Sequence, residues 1–336
     1  HAEENGLTLN STLKACPLLS SILLEIYEIT QDISFLERNY PMLNMLFQSW
    51  VIDPSTGVEN EHLHWEKPGQ LQIDTGLFTF DIWENYSKGL DITKAESPAL
   101  YAMLFNEAKA LHKLSKLLGE RSQQRYYLQW QKDLQGWLVN CWQDNDGVYG
   151  YQDIETHMSP SCELLYQGEV KGSIEIKKTF TKPQRFQCHI YAADEHTRSC
   201  VIKLRGKSVK GAVIEEVFRN PDILWVIGRT HLTTEQLFVE LESISREGLD
   251  RHDKFLIETA DYTQPDISCL LPLWADTGRK AHLQKTSSVI MNPKDPKFSF
   301  GIPETWESQS PLPEDLPLRV NVLWNTLILE GLIKQG

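Results

Sequence analysis

Residues 97–119 read SPALYAMLFNEAKALHKLSKLLG, and Leu100, Leu104, Leu111, Leu114 and Leu118 fall on one face of a helix. Gly119 closes that helix. A partner is expected over 121–142, with Tyr127, Trp130, Leu134, Trp137, Leu138 and Cys141 along one side. Upstream, 17–29 keeps the same spacing through Leu19, Ile22, Leu23, Ile26 and Ile29. The stretch 34–51 does so through Leu36, Tyr40, Leu43, Leu46, Phe47 and Trp50. Helices are expected again at 268–274, 280–291 and 318–334. Helices arranged as hairpins predict a mainly helical chain.

The pattern changes between residues 167 and 258. Segments 186–192, 200–204, 212–218, 224–227 and 237–244 are β-branched or aromatic with partial alternation, and charged or Gly/Pro/Asp turns separate them. The expected organisation is helical over 1–166, a β-rich insertion over 167–258, and helical again over 259–336.

The 336 residues contain 33 Lys plus Arg against 46 Asp plus Glu, a net charge of −13. That balance argues against nucleic acid or an anionic membrane as partner, since both need clustered positive charge. No run of 18 apolar residues occurs, so no membrane span is expected. Six cysteines are scattered without a C-x-x-C pair and read as reduced thiols of a cytoplasmic protein. The motif at 144–149 approaches a calcium loop, but its sixth position is Tyr149 instead of Gly, so a plain turn is expected. His62 and His64 lack a recognisable third ligand, and no metal is expected. Nucleotide-binding glycine motifs and a Gly-x-Ser-x-Gly elbow are missing, and no cofactor is signalled.

Ten Trp and eleven Tyr exceed what a core alone usually needs, and flat indoles suit the faces of sugar rings. The aperiodic stretch 59–91 collects Trp65, Phe78, Phe80, Trp83 and Tyr86. A loop of that length in a compact domain usually lines a site. Trp65 and Trp83 are candidates to stack on pyranose rings, with Glu84 and Asn85 placed to bond hydroxyls.

An ordered series of short stretches resembles a known family. It comprises Cys16-Pro17-Leu18-Leu19 onward to Phe35-Leu36, Glu84-Asn85-Tyr86-Ser87-Lys88-Gly89-Leu90-Asp91, the helix containing Asn106-Glu107-Ala108-Lys109-Ala110-Leu111, and Trp142-Gln143-Asp144-Asn145-Asp146-Gly147-Val148-Tyr149. It continues with Leu270-Leu271-Pro272-Leu273-Trp274-Ala275, Phe300-Gly301-Ile302-Pro303 and Asn321-Val322-Leu323-Trp324. The series is similar to that of the six-hairpin glycosidases. These are the (α/α)6-barrel enzymes around glycoside hydrolase family 63, the trehalases and the amylo-α-1,6-glucosidase-type debranching enzymes. The resemblance implies an (α/α)6 toroid carrying the β-rich module. It also implies an inverting glycoside hydrolase acting on α-glucosidic oligosaccharides.

In that family the Asp after Gly-Trp is the general acid, and Asp91 takes its place here, with Leu90 where the Trp would stand. Inversion needs a protonated carboxyl beside the leaving oxygen and a second carboxylate activating water from about 6.5–9.5 Å away. The family's Trp-Arg-Gly run is replaced by Leu316-Pro317-Leu318-Arg319, and its base Glu would fall past Gly336. On this reading the chain is expected to belong to a longer polypeptide. Within it, Glu304 and Glu307, flanking Trp306, are candidates for the base, with Trp306 a further sugar contact. Gln264 and Asp266 are expected to face the same cleft. A carbohydrate-binding scaffold without turnover and a phosphorylase, in which phosphate replaces water, are the rival readings.

Overall fold

The computed structural model describes residues 16–53, 56–60, 63–71, 73, 78, 89–169, 172–220, 222–292, 301–305 and 319–335. Seven α-helices are described: α1 (Leu19–Thr30), α2 (Ile33–Val51), α3 (Pro98–Leu117), α4 (Arg121–Asn140), α5 (Leu271–Ala275), α6 (Lys280–Ile290) and α7 (Val322–Gln335). Short strands β1 (Ala95–Glu96), β2 (Trp142–Gln143), β3 (Val148–Tyr149) and β4 (Gln152–Asp153) form two small ladders, β1 with β4 and β2 with β3.

Helix α3 is the axis of the helical part. Ser97 has extended backbone and accepts from the Leu100 N–H at 3.5 Å, while Pro98 takes the first turn, where a missing N–H costs nothing. The Leu100–Leu104–Leu111–Leu114 stripe is fully buried. α3 packs along α4 and also contacts α1, α2 and α5. Between α2 and α4, Phe47 meets Tyr127 and Trp130 edge to face, with ring centroids 5.6 and 6.2 Å apart.

Eight longer strands follow: β5 (Leu164–Glu169), β6 (Ile174–Gln184), β7 (Phe186–Tyr191), β8 (Val201–Ser208), β9 (Val213–Arg219), β10 (Arg229–Thr233), β11 (Phe238–Glu247) and β12 (Lys254–Thr259). They build two antiparallel four-stranded sheets, ordered β10-β7-β12-β5 and β6-β11-β8-β9. Phe186, Ile202, Phe238, Leu241 and Phe255 from both sheets share one buried cluster, separate from the helical core. The Phe186 and Phe238 rings lie 5.2 Å apart across it.

The module is tied to the helical part by charge. Arg185, between β6 and β7, is 1% exposed, and its Nε donates to Asp153 Oδ2 at 2.5 Å. Its other nitrogens donate to Glu155 Oε1 and to the carbonyls of Thr234 and Glu235. Tyr262 adds a bond to the same Asp153 oxygen at 3.3 Å.

These findings correct the expected fold class. A closed ring of six hairpins takes twelve helices. The described residues hold seven, beside two four-stranded antiparallel sheets with a core of their own, so the class is α+β and not an (α/α)6 toroid. Strands also differ in detail. Leu224 and Trp225 lie outside any strand. Val226 bridges to Arg229 across a turn at Ile227 and Gly228, both with positive φ (+44° and +65°), and β10 begins only at Arg229. A Cβ at Gly228 would lie 2.4 Å from Glu195 Cα. Among the described residues no helix is long and apolar enough to cross a membrane.

Candidate functional site: an acidic cleft beside the sheets

A cleft of about 570 Å³ opens where residues 89–92 meet β9 and β10. One wall carries Gly89, Leu90, Asp91 and Ile92. The other carries Glu216, Val217 and Phe218 from β9 with His231, Leu232 and Thr233 from β10. Phe78, Leu90, Ile92, Val217, Phe218 and Leu232 give it apolar patches, and Glu66, Asp91, Glu216, Asp222 and Glu235 bring carboxylates to it. Its size lies within the usual range of small-molecule sites.

Asp91 is half-buried and held from two sides. Its backbone N–H donates to Thr233 Oγ1 at 3.1 Å, and its Oδ1 accepts from the Thr93 N–H at 2.9 Å, capping the single 3-10 turn 92–94. The chain approaches the sheet closely because Gly89 has φ +65° and no side chain. A Cβ there would sit 2.6 Å from the His231 ring. Burial first, then the nearby His189, pushes the His231 pKa down to about 4 against the opposing pull of Asp91. His231 is therefore neutral near pH 7.

Glu216, on the facing wall, is buried, and burial raises its pKa. The backbone N–H groups of Glu235 and Gln236, donating to its carboxylate at 2.5 and 3.0 Å, act in the opposite sense. Lys94 pairs with Glu235. Among the described residues lining the cleft there is no Lys or Arg.

A second carboxyl group lies deeper. Asp266 Oδ2 accepts from Tyr151 Oη at 2.6 Å and Oδ1 from the Ser268 N–H at 2.9 Å. Burial raises the Asp266 pKa to about 6 against the opposing Ser268 and Tyr151 bonds, with the charge of Glu304 adding a smaller upward push. Glu304 is 4% exposed, and its Oε1 accepts from Asn321 Nδ2 at 3.2 Å. The ring of Tyr151 meets that of cleft-lining Phe78 edge to face at 4.7 Å, which connects the two groups.

Asp91 is thus the one expected site residue among the described lining of the cleft. Asp266 and Glu304 come together but line no part of it, and Gln264 bonds Asp261 at 3.3 Å outside it. Trp65 is fully buried, edge to face with Trp50 at 5.6 Å, and belongs to the helical core. Trp83, Glu84, Asn85, Trp306 and Glu307 lie outside the described residues. Sequence reasoning missed Glu216, His231 and Thr233, which strand alternation presents as ordinary surface positions, and Glu235 in the loop after β10, all far from Asp91 in the chain. Among the described residues no group of three His, Cys, Asp or Glu side chains is placed to hold a metal ion.

No protein-family model matches the chain, and no curated protein matches it in sequence. Among solved structures, an uncharacterized conserved protein from Thermus thermophilus is similar in fold, with a TM-score of 0.52 at 12% identity. The match covers 96% of this chain and 65% of that one, so this chain spans less than two thirds of its length. A likeness at that identity concerns the fold alone. The expected membership of the six-hairpin glycosidases is corrected accordingly: the architecture is α+β, and the similar structure carries no glycosidase assignment.

Proposed function

We propose that the chain hydrolyses glycosidic bonds of α-linked glucosides in the cleft, with Asp91 donating the proton to the leaving oxygen. A glycosidic oxygen leaves poorly until protonated, and a carboxyl group beside it is the donor that such chemistry needs. The supporting observation is the place of Asp91, set in a cleft of about 570 Å³ whose lining mixes apolar side chains with four further carboxylates. Those carboxylates offer a partner for the attacking water. Water is favoured over phosphate as acceptor because no Lys or Arg stands among the cleft's described residues. Free thiols at all six cysteines accord with a cytoplasmic location for this activity.

A binding role without turnover is the second reading. It is favoured by one observation: Asp91 Oδ1 already accepts from Thr93 N–H, as a purely capping Asp would.

The test compares wild type with Asp91→Asn on α-glucosidic oligosaccharides, with and without phosphate. Hydrolysis reduced at least about 10²-fold in the variant supports the proposal. Phosphate-dependent turnover would replace hydrolysis with phosphorolysis. Binding without turnover in both proteins would leave the second reading in its place.

A further inference from the structure

We infer that the helical part binds a second copy of this chain head to tail, the outer face of α1 in one copy seating in the groove between α6 and α7 of the next. The helices α1, α3, α5 and α7 pack each against the next, so α1 and α7 stand at the two ends of an open row. Both ends carry apolar side chains in the open. None of the residues that form them lines the cleft at Asp91, so this inference stands apart from hydrolysis there.

On α1, Leu19, Ile22, Ile26 and Ile29 follow at spacings of three, four and three residues, the seam of a helix that packs on another helix. Of the apolar residues whose periodicity marks this helix, Leu23 alone is turned into the core, and the four seam residues are 40–84% exposed. α7 repeats the pattern with Val322, Thr326, Leu329 and Ile333, all exposed, while Trp324, Ile328 and Gly331 face inward. Single exposed aliphatic side chains are ordinary. Two stripes at helix-pairing spacing mark contact surfaces.

Shape and charge decide which faces join. Beside α7 lies a groove of about 380 Å³, walled by Ile290, Met291, Ile302, Val322, Leu329 and Leu332. Its amide and hydroxyl are committed within the fold. Asn325 bonds both backbone groups of Ile302 at 2.9 Å, and Thr326 Oγ1 donates to the Val322 carbonyl at 2.9 Å. What remains is an aliphatic trough, and α1 presents the Leu and Ile ridge that fits one, since helices pack ridge into groove. Glu25, Glu28 and Asp32 are exposed on α1 and the turn after it, with Lys113 3.8 Å from Glu28. Two α1 faces brought together would set these carboxylates against their own copies. The groove side carries Arg319, next to groove-lining Val320, and Lys334, against one acid on α7, Glu330. A chain of net charge −13 therefore meets its copy best with the acidic ridge on the more basic groove. Such a contact joins unlike faces, so it runs on into a chain or closes into a ring.

Sedimentation velocity of the 336-residue chain, from low to high micromolar concentration, tests this. Wild type is expected to form species larger than a dimer. Ile29→Glu, which charges the ridge, and Leu329→Glu, which charges the groove, are each expected to sediment as monomers. Mixed in equal amounts, the two variants are expected to give a dimer and nothing larger, because one intact ridge and one intact groove remain. All four positions used are exposed, and Ile22→Glu and Val322→Glu repeat the test if circular dichroism shows either first variant unfolded. A wild type that stays monomeric throughout overturns the inference. A dimer that persists in either single variant does so too, since it marks two like faces joined, as does a mixture without dimers.

Discussion

The carboxylate of Glu107, in the middle of α3, closes the N-terminus of α1 by accepting from the backbone N–H of Ser20 at 2.9 Å. The N–H of Ser21, at 3.0 Å, completes the pair. α1 has no capping side chain of its own at Leu18, so a residue 87 positions away from Ser20 performs that task. Negative charge is favoured at this helix end, although burial raises the Glu107 pKa. Glu107→Ala is expected to destabilise the fold by about 1–2 kcal/mol, the range of a lost N-cap. Urea unfolding checks it, and Glu107→Gln, which keeps one acceptor, is expected to lose less.

Arg185→Ala is expected to be among the most damaging single changes. It leaves Asp153, 2% exposed, as a buried charge without its guanidinium. Breaking such a pair typically costs about 3–5 kcal/mol, whereas replacing both partners by apolar residues costs far less. The measurement is the denaturant midpoint of Arg185→Ala against Arg185→Met/Asp153→Leu. A double variant no more stable than the single one would contradict this account.

Asp266 gives the fold a pH dependence with a definite sign. Its folded pKa, about 6, lies above its unfolded value, so the folded state holds the proton more tightly. The stabilisation is complete below pH ~4 and is lost as pH rises through about 6. Two pKa units correspond to roughly 3 kcal/mol. Between pH 4 and 7 the wild type is expected to lose stability relative to Asp266→Asn by an amount of that order. Parallel pH profiles for the two proteins would refute the assignment.

Gly89→Ala meets two obstacles together, the positive φ and the His231 ring 2.6 Å from the new Cβ. A loss of about 1–3 kcal/mol is expected, the range for a strained backbone position. Adding His231→Ala is expected to restore the steric part and leave the conformational part. Thermal unfolding of the single and double variants separates the two.

The helices are readable in the sequence because their burial is periodic within one segment. Leu100, Leu104, Leu111 and Leu114 announce α3 without reference to any distant residue. Strand β6 is not, because Lys177, Lys178, Thr179, Thr181 and Lys182 give it a polar surface whose pairing with β11 is visible only in three dimensions. Leu224, Trp225, Val226 and Ile227 read as a strand, yet the turn at Ile227–Gly228 displaces the strand to the polar run Arg229–Thr233. At the cleft, Asp91 stands out by its setting after Gly89. Its opposite wall does not, since only the folded chain brings the Thr233 hydroxyl to the Asp91 N–H from 142 residues away.

That bond from Asp91 N–H to Thr233 Oγ1 also limits how this polypeptide can be cut apart. The sheets have their own apolar interior, which invites their excision as an independent unit. Yet such surgery would strip the helical remnant of the side opposite Asp91 and turn a two-walled cleft into an open shelf. An isolated sheet fragment could fold and still report nothing about chemistry, because neither piece keeps the compartment that only their apposition creates.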